Sequence, residues 1–114
     1  MEFKSVEQAI TFIRDKSVEY AKAKSDRVLL EQFRKSKKAM LMQEAGTQGM
    51  KAGHEREAYA YAHKDYVDIL KGLSVAVEKE ETLRYQIKAA ELRFEMWRTQ
   101  EASNRAEMGR YNSV

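Results

Sequence analysis

Apolar residues spaced alternately by three and four run through the second half of the chain. They are Tyr59, Ala62, Tyr66, Ile69, Leu73, Ala76, Leu83, Ile87, Ala90, Phe94 and Trp97, with one charged member, Glu80. On a helix these positions share one face, which is how a coiled-coil seam is built. The 114 residues include no proline, the residue that most strongly breaks helices. We therefore predict a long helix that packs against a second one.

The glycines predict where the chain turns. Three of the five glycines lie between residues 46 and 53, which is typical of a helix C-cap followed by a connecting loop. The predicted fold is a single all-α domain, a long antiparallel, coiled-coil-like helical hairpin. Helix 1 would cover about 4–45, the loop 46–54, helix 2 about 55–108 and a frayed tail 109–114.

Helix 1 has an apolar stripe whose phase changes near its middle. The stripe comprises Phe3, Val6, Ile10, Ile13, Ser17 and Tyr20, and its phase continues onto Lys24 and Arg27. Large hydrophobic residues return in a shifted phase, as Leu30, Phe33, Met40 and Leu41. Such a helix is either kinked or rotated between its halves. A kink would fall near Ser25, because Ser25 and Asp26 are suited to capping a new helix.

Folding the arms about the loop predicts which residues face each other. Phe3 would meet Trp97 as a core contact, which we favour over a role for Trp97 in stacking on bases, and Arg27 would meet Leu73. Glu80 would face Tyr20, with Lys16 also in reach; we favour the alternative of a half-exposed glutamate at a loose layer.

Apolar residues outside this seam predict self-association. They are Leu29, Val67, Leu70, Val77, Leu92 and Met96. Left in water, they would form the kind of patch that marks an association surface. The simplest assembly is a dimer in which two hairpins form a four-helix bundle.

A basic cluster in helix 1 predicts a nucleic-acid contact. The formal net charge is only +3, but Arg34, Lys35, Lys37 and Lys38 fall together. We expect these four side chains on the outward face, with Phe33, Met40 and Leu41 turned inward. Binding through such a strip would be independent of DNA sequence and strongly salt-dependent. The alternative is a surface that only confers solubility.

The end of helix 2 is a second candidate surface. It extends beyond the point where helix 1 begins and mixes polar groups with Trp97, Met108 and Tyr111. We predict Trp97, Arg98, Asn104 and Arg105 as partner-binding residues of a protein-binding module. Equally, this segment could cross into the second hairpin of a dimer.

Enzymatic chemistry is not expected. His54 and Glu57 are spaced to share a helical face, but two residues do not make a firm metal site. The sequence has neither a dinucleotide-binding nor a phosphate-binding glycine motif, and we predict no catalytic residues, metal or cofactor. Without cysteine, a signal peptide or an apolar run long enough to span a membrane, the chain is expected to be a soluble cytoplasmic protein.

Three segments resemble a set of small helical proteins encoded by tailed bacteriophages and prophages. They are RVLLEQFRKSKKAMLMQEA at residues 27–45, EREAY at residues 55–59 and AAELRFEMWRTQEASNRAEM at residues 89–108. The resemblance brings no catalytic residues with it. Genes of such proteins tend to lie among early phage functions.

The resemblance implies a non-enzymatic accessory role in phage DNA recombination or replication, in the host bacterial cytoplasm. The alternative is that the chain docks on, or inhibits, a phage or host protein. In similar proteins the stretch matching His63, Lys64 and Asp65 often contains proline, which implies a kink there that would interrupt helix 2.

Overall fold

The computed structural model describes residues 3–112, and this range is all-α, without any strand. It contains three helices, α1 (Val6–Thr47), α2 (Gly53–Ala62) and α3 (Lys64–Asn112). The predicted all-α, coiled-coil-like hairpin is thereby confirmed. The backbone divides into two compact units, which we describe separately: unit 1 combines Met1–Tyr20 with Thr82–Val114, and unit 2 is Ala21–Glu81. That the chain is one domain stays a prediction.

Helix α1 passes Ser25 without a break, so no new helix begins there. Its covered face also keeps one phase throughout. The covered positions are Val6, Ala9, Ile13, Lys16, Tyr20, Ala23, Arg27, Leu30, Arg34, Lys37, Leu41 and Ala45. The predicted phase slip is therefore wrong, and Ile10, Ser17 and Lys24 are exposed. Large hydrophobic residues alone change phase near Ser25, whereas the covered face is formed by small alanines and the aliphatic stems of long cationic side chains.

The loop between α1 and α2 starts with a Schellman motif. The amide of Met50 donates to the carbonyl of Ala45, and that of Gly49 donates to Gly46. Gly49 has a φ of 97°, in the left-handed region that a residue at this position of the motif must adopt. The helix therefore continues to Thr47, and its cap is Gly49 where the sequence had suggested a cap near residue 46.

Gly46 serves a different purpose, because the side chain of Arg56 lies directly over it. A Cβ at residue 46 would come within 3.0 Å of the guanidinium carbon. From this position Arg56 donates from Nε to the carbonyl of Met50 at 2.8 Å. The glycine thus leaves room for the arginine that ties the loop to α2.

The second arm is interrupted at His63. Helix α2 ends at Ala62, His63 is extended with ψ 137°, and α3 begins at Lys64. The Nδ1 atom of His63 accepts a hydrogen bond from the amide of Asp65 at 3.1 Å, so the imidazole caps one of the free amides at the start of α3. This break confirms the kink that the resemblance implied, and the prediction of one continuous helix 2 is wrong.

Unit 2 has a small apolar core where its three helices meet. Leu41 of α1, Ala60 of α2 and Tyr66 of α3 form it, with Met42 and Tyr59 packed against them. Because α2 and α3 meet at the break, both can present side chains to the same part of α1.

The predicted seam of the second arm corresponds closely to its covered face. Tyr66, Glu80, Leu83 and Ala90 are buried, and most other members are partly covered. Ala62 and Trp97 are exposed. Helix α3 continues to Asn112, so residues 109–112 of the predicted tail are helical, and residues 113 and 114 lie outside the described residues.

Candidate interaction surfaces

Glu80, the one charge in the predicted seam, is paired with Arg27. Only 6% of Glu80 is exposed. Arg27 donates to both carboxylate oxygens, from Nε to Oε2 and from Nη2 to Oε1, the second at 3.1 Å. Its Nη1 also lies 3.1 Å from the Glu31 carboxylate. The hydrogen bond with Glu80, followed by that with Glu31, raises the pKa of Arg27 above its ordinary value.

This pairing corrects two predictions. Glu80 is buried and not half-exposed, and its carboxylate binds Arg27, which the predicted register had placed elsewhere. Arg27 was predicted to face Leu73, which is one heptad before Glu80 on α3. Registers that differ by one heptad bring equally apolar faces together, so apolar spacing does not distinguish them. A buried charge pair does, because only one register satisfies it.

The basic cluster of α1 is turned differently from the prediction. Arg34, Lys37 and Lys38 are half-buried and lie on or beside the covered face, whereas Lys35 is exposed. Phe33 and Met40, predicted to face inward, keep 49% and 58% of their surface exposed. Only Leu41 of the predicted inward set is buried.

Two of these cations have acidic partners on the other arm. Lys37 Nζ lies 3.3 Å from the carboxylate of Asp65, and Lys38 Nζ lies 3.6 Å from that of Glu57. Lys38 Nζ also sits 4.7 Å from the ring centre of Tyr61, and its hydrogen bond with Tyr61 raises the pKa of Lys38. Phosphate contacts by these two lysines would have to compete with partners already present.

The apolar residues outside the seam are exposed almost as predicted. Leu29, Leu92 and Met96 keep 69%, 58% and 72% of their surface exposed, and Leu70 and Val77 each keep 38%. Val67 is half-buried. Whether this stripe mediates association stays a prediction.

The predicted partner-binding residues lie along the exposed end of α3. Trp97 keeps 45% of its surface exposed, so it lies at the edge of the seam and not in a core. Its indole stacks on Phe94 at 6.3 Å between ring centres, and Arg98 is ion-paired with Glu95 at 3.1 Å. Asn104 and Arg105 are exposed.

Trp97 and Phe3 line one groove within unit 1, and the ring of Phe3 also packs against that of Phe12 at a tilt of 56°. The groove has a volume of about 230 Å³. Phe3, Val6 and Ala9 form one wall, and Phe94, Trp97 and Gln100 belong to the other. Its lining is mainly apolar, and it is suited to receiving apolar side chains.

The seam spacing also continues past Trp97, and this continuation is visible in the sequence. Glu101, Asn104, Met108 and Tyr111 extend the same alternation of three and four. Met108 and Tyr111 keep 65% and 85% of their surface exposed. The helix therefore carries its packing face beyond the residues that cover it in unit 1.

Among residues 3–112, no group of three or more His, Asp or Glu side chains is arranged to hold a metal ion. Within the same range no helix is both long and apolar enough to cross a membrane. Comparison with known proteins finds no matching family model and no significant match to a curated protein or a solved structure.

Proposed function

We propose that this chain is a non-enzymatic protein-binding module whose partner docks on the open end of α3. The observation that carries the proposal is the uncovered seam, which keeps its heptad phase as far as Tyr111. A surface with this spacing is suited to an amphipathic helix that presents apolar side chains every three or four residues. We define the binding face as Phe94, Trp97, Glu101, Asn104, Met108 and Tyr111.

The partner class follows from the chemistry of this face. Aromatic and methionine side chains supply most of its apolar surface, and such residues are enriched at protein interfaces. Glu101 and Asn104 lie in its middle and would select a partner with polar groups at the matching layers. The resemblance to phage-encoded proteins supports an accessory role beside phage or host proteins.

DNA binding through Arg34, Lys35, Lys37 and Lys38 stays a second prediction, with less support. Lys35 is exposed, but the cluster carries two acid pairs and a half-buried Arg34. A mobility shift that weakens steeply with salt and is lost on Lys35→Glu would support DNA binding. A shift unchanged by charge reversal at all four positions would end it.

The protein-binding proposal is tested with two variants that differ only in which face is altered. Met108→Glu places a charge on the binding face, whereas Met40→Glu places the same charge on an exposed methionine of α1 that belongs neither to that face nor to the lining of the groove. The full-length parent and each full-length variant carry a tag and are used to capture proteins from a cell extract. An untagged copy of the chain is added to the extract, so that it too can be captured. We expect Met108→Glu to lose a captured protein that the parent and Met40→Glu retain. Capture that is the same for all three chains, or no capture at all, would contradict the proposal.

A further inference from the structure

The open end of α3 carries exposed apolar side chains, and unit 1 contains an apolar groove that could receive such side chains. Met108 and Tyr111 are apolar, in phase with the seam and exposed. The groove beside Phe94 and Trp97 is lined mainly by apolar side chains. Met108 lies eleven residues after Trp97 on the same helix, roughly 16 Å away, so it cannot fill the groove beside its own Trp97.

We propose that the partner of the binding face is a second copy of this chain, with the two α3 ends antiparallel. Met108 and Tyr111 of each copy then fill the groove of the other. This inference rests on the proposed function, because it names the occupant of the same face. It also makes the interface isologous, as a two-fold dimer requires.

The order of residues on the binding face is self-complementary. An axis that passes between Ala102 and Ser103 places Trp97 opposite Met108 and Glu101 opposite Asn104 of the other copy. Phe94 then lies opposite Tyr111, and each of the three pairings occurs twice. Aromatic rings meet an aromatic ring or a thioether, and the Asn104 carboxamide donates to the Glu101 carboxylate.

The neighbouring antiparallel registers do not match in this way. A shift of one heptad toward the end of the helix sets Glu101 opposite Tyr111 and Asn104 opposite Met108. A shift in the other direction sets Glu101 opposite Trp97 and Asn104 opposite Phe94. Either shift places polar groups against apolar ones in the layers that contain Glu101 and Asn104, and buried polar groups without partners are costly. One register is therefore selected.

The flanks of this interface predict its response to salt. Arg98 and Arg105 each follow a seam residue, so they lie on the same flank of the face. In an antiparallel pair the same flanks meet, which brings Arg98 of one copy near Arg105 of the other. Arg98 is partly neutralised by its own Glu95. We expect the dimer to persist or strengthen as salt rises, because screening reduces repulsion between like charges.

The mass of the full-length chain in solution, with matched variants, tests the proposal. At micromolar concentrations we expect a dimer for the parent and for Met40→Glu, and a dissociation constant at least about tenfold weaker for Met108→Glu. Trp97 is the only tryptophan in the chain, so it is the source of the tryptophan fluorescence. We expect its emission to shift to shorter wavelength as the concentration of the parent rises, and not to shift in Met108→Glu. A monomeric parent, or a dimer that Met108→Glu leaves intact, would overturn the proposal.

Cysteine cross-linking gives the orientation, since the chain has no cysteine of its own. Glu101→Cys mixed with Asn104→Cys should form a disulfide between the two chains faster than either variant does alone. Faster cross-linking of Glu101→Cys with itself would indicate a parallel pair and contradict the proposal. A monomer that still shows Met108-dependent capture of another protein would refute the dimer and leave the proposed function standing.

Discussion

The guanidinium of Arg27 donates two hydrogen bonds to the carboxylate of Glu80, and this contact fixes which residues of α1 and α3 face each other in unit 2. Glu80 is the only charged residue that is buried among residues 3–112. The apolar seam alone would tolerate a displacement of one heptad. A displacement of one heptad would break the hydrogen bonds between Arg27 and Glu80, so the pair favours the observed register.

Removing one member of the pair should be worse than removing both. Arg27→Leu takes two hydrogen bonds from a buried carboxylate, so we expect thermal denaturation to show a melting temperature lower by at least about 5 °C. The double variant Arg27→Leu with Glu80→Leu should recover at least half of that loss. A double variant that melts below the single one would show that the pair does not act as a unit.

The imidazole cap at the start of α3 can be tested by changing only its acceptor. His63→Ala should reduce the free energy of unfolding by about 1 kcal/mol, because the amide of Asp65 loses its partner. His63→Asn supplies a carboxamide oxygen at the same position and should keep most of that stability. Urea denaturation measures both variants, and equal losses would exclude a role for the ring nitrogen.

Leu41 and Leu29 provide a matched pair on α1. Leu41 is 3% exposed within the core of unit 2, whereas Leu29 is 69% exposed. We expect Leu41→Ala to reduce the free energy of unfolding by about 2–5 kcal/mol and Leu29→Ala to change it by less than about 0.5 kcal/mol. Similar losses for the two variants would mean that the face of α1 assigned to the core is wrong.

Helix content and the covered face of the second arm were predictable from the sequence. Both features follow from local spacing. The buried residues Tyr66, Leu83 and Ala90 fall on the regular alternation of three and four, so the covered face can be read from the sequence. The face of α1 was harder to predict, because alanines and the stems of Lys16 and Lys37 cover it. Apolar periodicity registers large hydrophobic residues and overlooks both.

The register of the two arms depends on a contact that spacing alone does not encode. Arg27 and Glu80 are far apart in sequence, and nothing local links them. The break at His63 has no proline or glycine in this chain, so its only sequence signal was the resemblance to proteins with proline there. Met108 and Tyr111 do carry a sequence signal, because they continue the heptad spacing of the seam. The polar residues around them make this continuation hard to see from composition alone.

The packing of α1 against α3 in unit 2 depends on their register. Cysteine cross-linking tests this register directly. Leu30 lies three residues after Arg27 and Ala76 four residues before Glu80, so they belong to the next layer of the seam. We predict that Leu30→Cys with Ala76→Cys cross-links readily, while Leu30→Cys with Ile69→Cys, one helical heptad or roughly 10 Å away, does not. Preferential cross-linking to residue 69 would contradict the register and the role of the Arg27–Glu80 pair.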